Sequence, residues 1–322
     1  MTFACILTSI AIAVPRPDQR LPYVERCYVL GSAEAGVTNV VVQGVDVPVY
    51  RTGAWAAYVD VKEGENVITA SCDWGGVHSE TSRTFRVAAK PTPKPKADAS
   101  SSASTNKPAE RVYKKLEYAA DEARPHPADK TPGAVTVVLD PGHGGPSDLG
   151  CVSPHGWCEK DANLLLAEAV REELEKLGYN VAMTRREDRA VPLYDRPRTI
   201  YAEGADAFIS LHHNAPAADR DAGKIRYAAV YSWNPVGEAM AKAISKRMDE
   251  VQKAELKSNG SMHANFAVTR NPEVPSCLVE ADFITHPAGE EAAWDPVRRA
   301  RLARAIACGF ADWHVKPVQN RN

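Results

Sequence analysis

Hydrophobic and polar positions alternate along four short runs between residues 21 and 88, which read CYVLG, TNVVVQGVDVPVY, AWAAYVDV and NVITASCDW. A period of two residues is typical of strands that bury one face, and valine and aromatic side chains favour strands. Turn signals at residues 44–46 and 62–66 separate the runs. Short strands at this spacing predict a small all-β sandwich.

The pattern changes near residue 131, where apolar strands begin to alternate with amphipathic helices. The predicted strands are AVTVVLD, YNVAMT, DAFISLHH, IRYAAVYSW, ANFAVT and SCLVEAD. Leu164, Val170 and Leu174 recur at helical spacing in the first predicted helix. The four predicted helices cover residues 161–177, 195–203, 236–251 and 294–313. This alternation predicts an α/β domain in which helices flank a mostly parallel twisted sheet.

Residues 90–110, KPTPKPKADASSSASTNKPAE, interrupt both patterns. Pro, Ser, Ala and Lys bury too little apolar surface to order themselves, so we expect a linker that separates two domains by roughly tens of Å. An apolar run over residues 3–14 predicts a signal core, for which a buried N-terminal strand is the alternative. The predicted division is a signal segment (1–20), a β-sandwich module (21–89), a Pro/Ser/Lys-rich linker (90–130) and a catalytic domain (131–322).

Composition and charge narrow the class of protein. The chain has 322 residues, a formal net charge of −2, and hydrophobic and charged fractions of 44% and 25%, which are ordinary for a globular protein. The near balance of charge gives no indication of nucleic-acid binding. No apolar run reaches the ~20 residues that a membrane-spanning helix needs.

The cysteines allow disulfide bonds if the chain is exported. Six of the seven cysteines lie beyond the predicted signal segment, and an even number in an exported protein permits pairing. Cys27 and Cys72 are the favoured pair, because both lie in the predicted sandwich. Cys151 and Cys158 are candidates for a bridge within one loop, and we expect the last two cysteines to be buried free thiols.

Candidate metal ligands gather at the ends of predicted strands. The strand AVTVVLD runs into the glycine-rich turn that holds His143, and Glu159 opens the following helix, where the helix dipole favours a carboxylate. The strand DAFISLHH ends in His212 and His213, of which only one can face the same site. Ligands in open α/β sheets lie at the carboxyl ends of strands. Two histidines and one carboxylate form a typical catalytic zinc set, although each residue alone could be structural.

Four motifs occur in an order that resembles the zinc-dependent N-acetylmuramoyl-L-alanine amidases. They are LDPGHGG, EKDANLLLA, a long stretch from LGYNVAMTRRED to DAFISLHHNA, and VPSCLVEADFITHP, and together they span residues 131–316. The resemblance implies that Zn²⁺ is bound by His143, Glu159 and His212. It also implies that Glu280, in the strand SCLVEAD, is the catalytic carboxylate.

The resemblance implies hydrolysis of the amide bond between N-acetylmuramic acid and L-alanine in bacterial peptidoglycan. Zinc would activate a water molecule, and Glu280 would act as general base and then as general acid. We expect Asn214 to orient substrate or to hold its own loop. Arg185 and Arg196 are predicted to be structural ion-pair partners first and substrate contacts second, and His213 is predicted to be a surface or packing residue.

Peptidoglycan is the predicted partner, and we expect a monomer that is exported to the periplasm, the cell envelope or the medium. Some relatives carry a long helical insertion that blocks the zinc site until an activator moves it. Residues 216–224 are too few for such an insertion, so no obligatory activator is predicted. The runs VQGVDVPV and GENVITA resemble immunoglobulin-like modules of exported bacterial enzymes, which implies a binding or spacer module.

Two other functions are consistent with parts of the pattern. A zinc carboxypeptidase also uses two histidines, a glutamate and a catalytic glutamate, but it places its first ligands in a short HxxE segment, whereas His143 and Glu159 lie sixteen residues apart. A non-catalytic cell-wall-binding protein with an inactive amidase fold is the other alternative. All four chemical residues are present, which argues against it.

Overall fold

The computed structural model describes residues 10–91, 127, 130–233, 235–271 and 274–315. The start of the predicted signal core and most of the predicted linker lie outside these residues. The described chain forms an N-terminal all-β region and a C-terminal α/β region. Among the helices in these ranges, none combines the length and the apolar character that crossing a membrane requires.

The N-terminal region is a sandwich of two sheets. Its strands are β1 (Ile10–Val14), β2 (Arg20–Leu21), β3 (Arg26–Ala33), β4 (Asn39–Val42), β5 (Val45–Pro48), β6 (Ala54–Asp60), β7 (Gly64–Trp74) and β8 (Val77–Val87). The strand orders are β1-β3-β6 and β2-β8-β7-β4-β5. Trp55 and Phe85, one from each sheet, are fully buried in the shared core. Alternating burial along the strands is the pattern that the sequence predicts.

Strand β1 differs from the prediction for the N-terminus. Ile10–Val14 was placed within a signal segment ending at residue 20, but it pairs with β3 as an antiparallel strand of the sandwich. Ile10 and Ile12 point into the core and are almost fully buried. The alternative, a buried N-terminal strand, therefore describes these five residues, because their alternating apolar side chains fill one sheet face.

The predicted disulfide bonds are also wrong. All six described cysteines are free thiols, including Cys27 and Cys72 in the sandwich core. Cys27 packs in that core as a small apolar residue, and its burial raises the pKa of its thiol to about 12. Cys151 and Cys158 lie on either side of the turn that leads into the next helix, and they are not joined by a disulfide bond.

The C-terminal region is a six-stranded sheet with helices on its faces. Its strands are β9 (Thr136–Pro141), β10 (Asn180–Met183), β11 (Ala207–Asn214), β12 (Ala228–Ser232), β13 (Ser258–His263) and β14 (Ser276–Phe283). Its helices are α1 (Glu159–Lys176), α2 (Thr199–Ala202), α3 (Pro235–Gln252), α4 (Pro287–Trp294) and α5 (Pro296–Val315). The order is β10-β9-β11-β14-β12-β13, with only β12 and β14 antiparallel. This architecture confirms the predicted fold class.

Side chains of the central strands alternate between two cores. Val137 and Leu139 lie in the large core beneath α1, α3 and α5, whereas Val138 lies in a smaller core on the opposite face. Both faces are thus covered, which explains why these strands read as continuous apolar runs. Because both faces of the sheet are covered, its accessible part is the edge where the strands end.

Three predicted elements have different bounds. ANFAVT was predicted as a strand but contains a single 3₁₀ turn, Ala267–Thr269, and the sixth strand is the more polar β13. Strand β13 pairs only with β12 at the sheet edge, so it lacks an alternating apolar pattern. The helix predicted at 195–203 shortens to α2. The last predicted helix corresponds to α5 alone, which starts at Pro296 because Asp295 caps it, and the preceding α4 was not predicted.

Candidate metal centre and active site

Parallel strands β9, β11 and β14 bring the candidate residues to one edge of the sheet. His143 lies two residues after the end of β9, while His212 and Glu280 lie near the ends of β11 and β14. His212 and Glu280 are direct partners in the ladder between these neighbouring strands. Glu159 reaches the same place from the first position of α1.

His143, Glu159 and His212 converge in a manner that suits a metal ion. One ligand atom from each lies within 4.8 Å of the others. The Nε2 atom of His143 is 3.3 Å from Glu159 Oε2, and Nδ1 of His212 is 3.0 Å from Glu159 Oε1. Two imidazoles and one carboxylate, partly open to solvent, form the donor set of a catalytic zinc site. The residues therefore fit zinc.

The electrostatics of the cluster favour an ionised carboxylate. Burial alone would raise the pKa of Glu159, yet hydrogen bonds and charge from His143 and His212 hold it well below its ordinary value. Burial likewise opposes the charged form of His143, but Glu159 and Asp148 together raise its pKa to about 9. A negative site that attracts protons attracts a divalent cation for the same reason.

Asp148 orients His143 and was missed in the sequence. Its Oδ1 atom lies 2.6 Å from Nδ1 of His143, so the other ring nitrogen, Nε2, faces Glu159. A carboxylate on the second nitrogen of a ligating histidine fixes its tautomer and makes it a better ligand. The only signal in the sequence is an acidic residue five positions after the histidine, which is too common to identify a role.

His213 points away from the cluster and supports Glu159 indirectly. Its ring is buried, burial lowers its pKa to about 4, and its Nδ1 lies 2.9 Å from Oδ1 of Asn163. The neutral ring therefore donates to Asn163, whose amide in turn donates to Glu159 Oε1 at 3.1 Å. His213 is therefore a packing residue, as predicted, and it also connects through Asn163 to the candidate ligand Glu159.

The turn after β9 has a backbone that only specific residues allow. A Cβ atom at Gly142 would lie 2.1 Å from the nearest atom of the His212 ring. The turn and strand β11 can therefore approach this closely only because residue 142 is glycine. His143 itself has φ of +61°, a conformation that costs free energy for a residue with a side chain. The turn is thus shaped to place one imidazole against the other.

Two buried arginines donate hydrogen bonds to the backbone carbonyls of the turn after β9. Arg196 pairs with Asp140 at 2.8 Å and donates to the carbonyl oxygens of Pro141 and His143, each at 2.9 Å. Arg185 donates to the carbonyls of Pro141 and Gly142 at 3.0 and 2.9 Å. These contacts support the ion-pair interpretation of Arg196. Its contact with substrate stays a prediction.

Glu280 faces the cluster with a carboxyl group that is largely unsatisfied. Its Oε2 atom is buried and has no hydrogen-bond partner among the residues that the structure describes. Burial raises the pKa of Glu280 well above its ordinary value, and the charge of Glu159 adds to the effect. Such a group is adapted to accept and release a proton.

A cleft of about 390 Å³ opens over His143, His212 and Glu280. Val191, Leu193, Phe266 and Val268 contribute its apolar walls, and the polar groups lie at its base. Asn214 lies beyond these walls, where its Oδ1 accepts from the backbone of Ala215 at 2.8 Å. This contact holds the loop after β11, so the predicted role of Asn214 in substrate binding also stays a prediction.

Comparisons with known proteins identify the family of the catalytic region. The profile of the N-acetylmuramoyl-L-alanine amidase family matches residues 137–312. The chain is 34% identical to the amidase AmiA of Escherichia coli over 231 residues, covering 58% of this chain and 78% of AmiA. It is 32% identical to AmiC of Neisseria meningitidis over 217 residues, covering 54% of this chain and 51% of AmiC.

Solved structures give the same similarity. Amidase AmiC2 of Nostoc punctiforme is 30% identical with a TM-score of 0.53, and the match covers 56% of this chain and 98% of AmiC2. An amidase of Clostridium difficile 630 is 27% identical with a TM-score of 0.53, over 59% of this chain and all of that structure. Both alignments therefore cover little more than half of the chain.

Proposed function

Because the chain belongs to the N-acetylmuramoyl-L-alanine amidase family, a family of cell-wall amide hydrolases, we propose that it cleaves the bond between N-acetylmuramic acid and L-alanine with zinc at His143, Glu159 and His212. Glu280 is the acid–base residue of this proposal. The observation that carries it is the convergence of three ligand atoms beside Glu280, one of whose carboxyl oxygens is buried and unsatisfied.

Zinc bound to these three residues would supply Lewis acidity and make water nucleophilic near neutral pH. Glu280 accepts a proton from the attacking water as oxygen bonds to the lactyl carbonyl carbon. Glu280 then returns that proton to the L-alanine nitrogen as the C–N bond breaks. The amine leaves neutral, the lactyl group ends as a carboxylic acid, and the Glu280 carboxylate is regenerated. The position of Glu280 beside His212 in the ladder supports both transfers.

The remaining side chains orient these groups. Asp148 holds the His143 ring, and Asn163 holds one oxygen of Glu159. The apolar walls around the cleft would exclude water from the reacting amide, which strengthens electrostatic interactions there. Each residue thus has a task that the contacts in the structure support.

Mass spectrometry of muropeptides after digestion of purified sacculi tests the bond that is cut. We expect peptides with free L-alanine amino termini and glycan chains with intact lactyl ethers. Glu280→Gln should keep zinc bound and lower kcat by at least about 10²-fold, the range for loss of an acid–base group. Peptides that lack only C-terminal residues would instead indicate a carboxypeptidase.

Four finer statements belong to the same proposal. We infer zinc as the metal because two imidazoles and a carboxylate suit it. We infer export because peptidoglycan lies outside the cytoplasmic membrane. Activity without an activator is supported by the described lining of the cleft, to which residues 216–224 contribute nothing. Sedimentation of the zinc-loaded chain tests the expected monomer.

A further inference from the structure

We propose that the N-terminal sandwich is a working part of the metal centre, because it clamps the loop that covers two of the ligands. This loop, residues 149–158, is called the ligand loop below. The inference rests on the proposed function only in requiring that His143 and Glu159 bind metal. It differs from the sequence-based expectation that the sandwich is a module separated from the catalytic domain by a linker.

The inner side of the ligand loop contacts the ligands themselves. A Cβ atom at Gly150 would lie 2.6 Å from Oε2 of Glu159 and 2.8 Å from the ring of His143, so the loop backbone closes directly over both. The backbone N–H of Cys151 donates to Glu159 Oε2 at 2.9 Å. The carbonyl of Cys151 accepts from the Glu159 N–H at 2.8 Å, which also satisfies a donor of the first turn of α1.

The outer side of the same residues contacts the sandwich. Arg16 donates from its guanidinium to the carbonyl oxygen of Gly150 at 3.4 Å. Val152 is buried in a small apolar cluster with Val14 and Leu30 of the sandwich, and Ala222 closes that cluster from the catalytic domain. The loop is therefore held between its ligands on one side and the strands β1 and β3 on the other.

The far end of the ligand loop is anchored at His155. Its Nδ1 lies 2.7 Å from Oε2 of Glu290, a buried carboxylate of α4, and its backbone N–H donates to the same carboxylate at 2.8 Å. On its other side the His155 ring faces the sandwich, where its Nε2 atom lies 3.7 Å from the position of a Cβ atom at Gly53, next to the backbone of Thr52. Glu290 and Thr52 together raise the pKa of His155, although burial opposes the rise.

Further contacts keep the sandwich in place without touching the ligand loop. Arg51 pairs with Glu291 of α4, and the Tyr50 ring meets His286 edge-on at 5.9 Å between centroids. The hydroxyl of Tyr58 donates to the carbonyl oxygen of Asp219. The interface thus reaches from the ligand loop across α4 to the segment after β11. These contacts attach the sandwich to the catalytic region at several separate points, so it can hold the ligand loop in one position.

The ligand loop has internal hydrogen bonds, but those among its described residues do not involve Gly150. They join Ser153 to Gly156 and Trp157, next to the bridge between Val152 and Cys158. Loss of Arg16 would free the Gly150 carbonyl and loosen the backbone that donates to Glu159. Partners of ligating side chains typically change metal affinity about 10–100-fold when removed. Arg16 is therefore a positioning residue that acts through Gly150 and Cys151.

Zinc affinity of the full-length chain tests the clamp without relying on activity. In competition with a chromogenic chelator, Arg16→Ala should raise the zinc Kd about 10-fold, and Arg16→Lys, which keeps a donor, should recover most of the loss. Hydrogen exchange followed by mass spectrometry should be faster at residues 149–158 in Arg16→Ala. The matched control is Arg86→Ala, which removes an arginine paired with Glu65 elsewhere on the sandwich.

The outcomes separate the clamp from the proposed function. An Arg16→Ala chain with the zinc Kd and loop exchange of the unaltered chain, or an Arg86→Ala chain with equal changes, would overturn the clamp. Should Arg16→Ala not fold, His155→Gln gives the same test at the other end of the loop. If His212→Ala binds zinc as tightly as the unaltered chain, the proposed metal site fails instead.

Discussion

At the scale of single residues, Glu159 is the centre of the site. Its two oxygens face both candidate histidine ligands, and they also accept from the backbone of Cys151 and the amide of Asn163. A carboxylate that accepts several hydrogen bonds stays ionised even when buried. Glu280, on β14 beside His212, has a buried oxygen without such donors, and its pKa is raised. The two carboxyl groups therefore differ in role because they differ in donors.

Asp148→Asn tests the orientation of His143. The variant keeps the size of the side chain but removes the negative charge from the Nδ1 side of the ring. We expect the zinc Kd to rise about 10–100-fold, because the ring loses the partner that fixes its tautomer and basicity. Equilibrium competition with a chelator measures the change. Asp219→Asn, at an exposed aspartate, is the control, and equal Kd values for both variants would contradict the assignment.

At the scale of elements, the close approach between the turn after β9 and strand β11 sets the geometry of the ligands. Gly142 lies against the ring of His212, and Arg185 and Arg196 hold the carbonyls of the same turn. A buried arginine that donates to several carbonyls fixes backbone rather than side chains. The turn therefore behaves as a rigid part of the sheet edge.

Gly142→Ala tests this packing. The added methyl group would overlap the His212 ring, so either the turn or the imidazole must move. We expect a loss of roughly 1–3 kcal/mol in the free energy of unfolding, as for overpacked cores, together with weaker zinc binding. Urea denaturation and chelator competition measure the two effects. Gly133→Ala adds the same methyl group where the nearest atom is 3.9 Å away, and it should be nearly neutral.

The same elements show what the sequence could predict. The central strands were predictable because their apolar runs face two cores. The ordered motifs predicted roles for four residues, and the structure brings those four side chains together, although their roles stay predictions. Strand β13 was missed because an edge strand needs no apolar alternation. Asp148, Asn163 and the Arg16 contact were missed because such partners depend on how distant segments pack.

At the scale of the whole molecule, the two regions form a continuous structure around the candidate metal site. The sandwich contacts the ligand loop, and the ligand loop contacts residues at the edge of the catalytic sheet. Anything that binds only the folded state stabilises it by mass action. Metal binding should therefore stabilise the ligand loop and the sandwich as well as the three ligand residues.

Removal of zinc tests this linkage. At a free zinc concentration of 100 times Kd, we expect a stabilisation of about 2.7 kcal/mol, which a chelator should abolish. Scanning calorimetry with and without zinc measures the shift in Tm. His212→Ala is the control, because a chain that lacks one ligand should show almost no shift. A shift of equal size in that variant would place the stabilising ion elsewhere.

The pairing of His212 with Glu280 across β11 and β14 has a consequence for how such an enzyme can diversify. Neighbouring strands are separated by about 4.8 Å regardless of the loops that connect them. The ladder therefore keeps a constant spacing between His212, the proposed ligand, and Glu280, the proposed acid–base residue. Leu193 and Phe266, which wall the cleft, belong to connecting segments outside this ladder. We therefore expect substitutions at Leu193 and Phe266 to change which wall peptides fit the cleft and to leave the spacing between His212 and Glu280 unchanged.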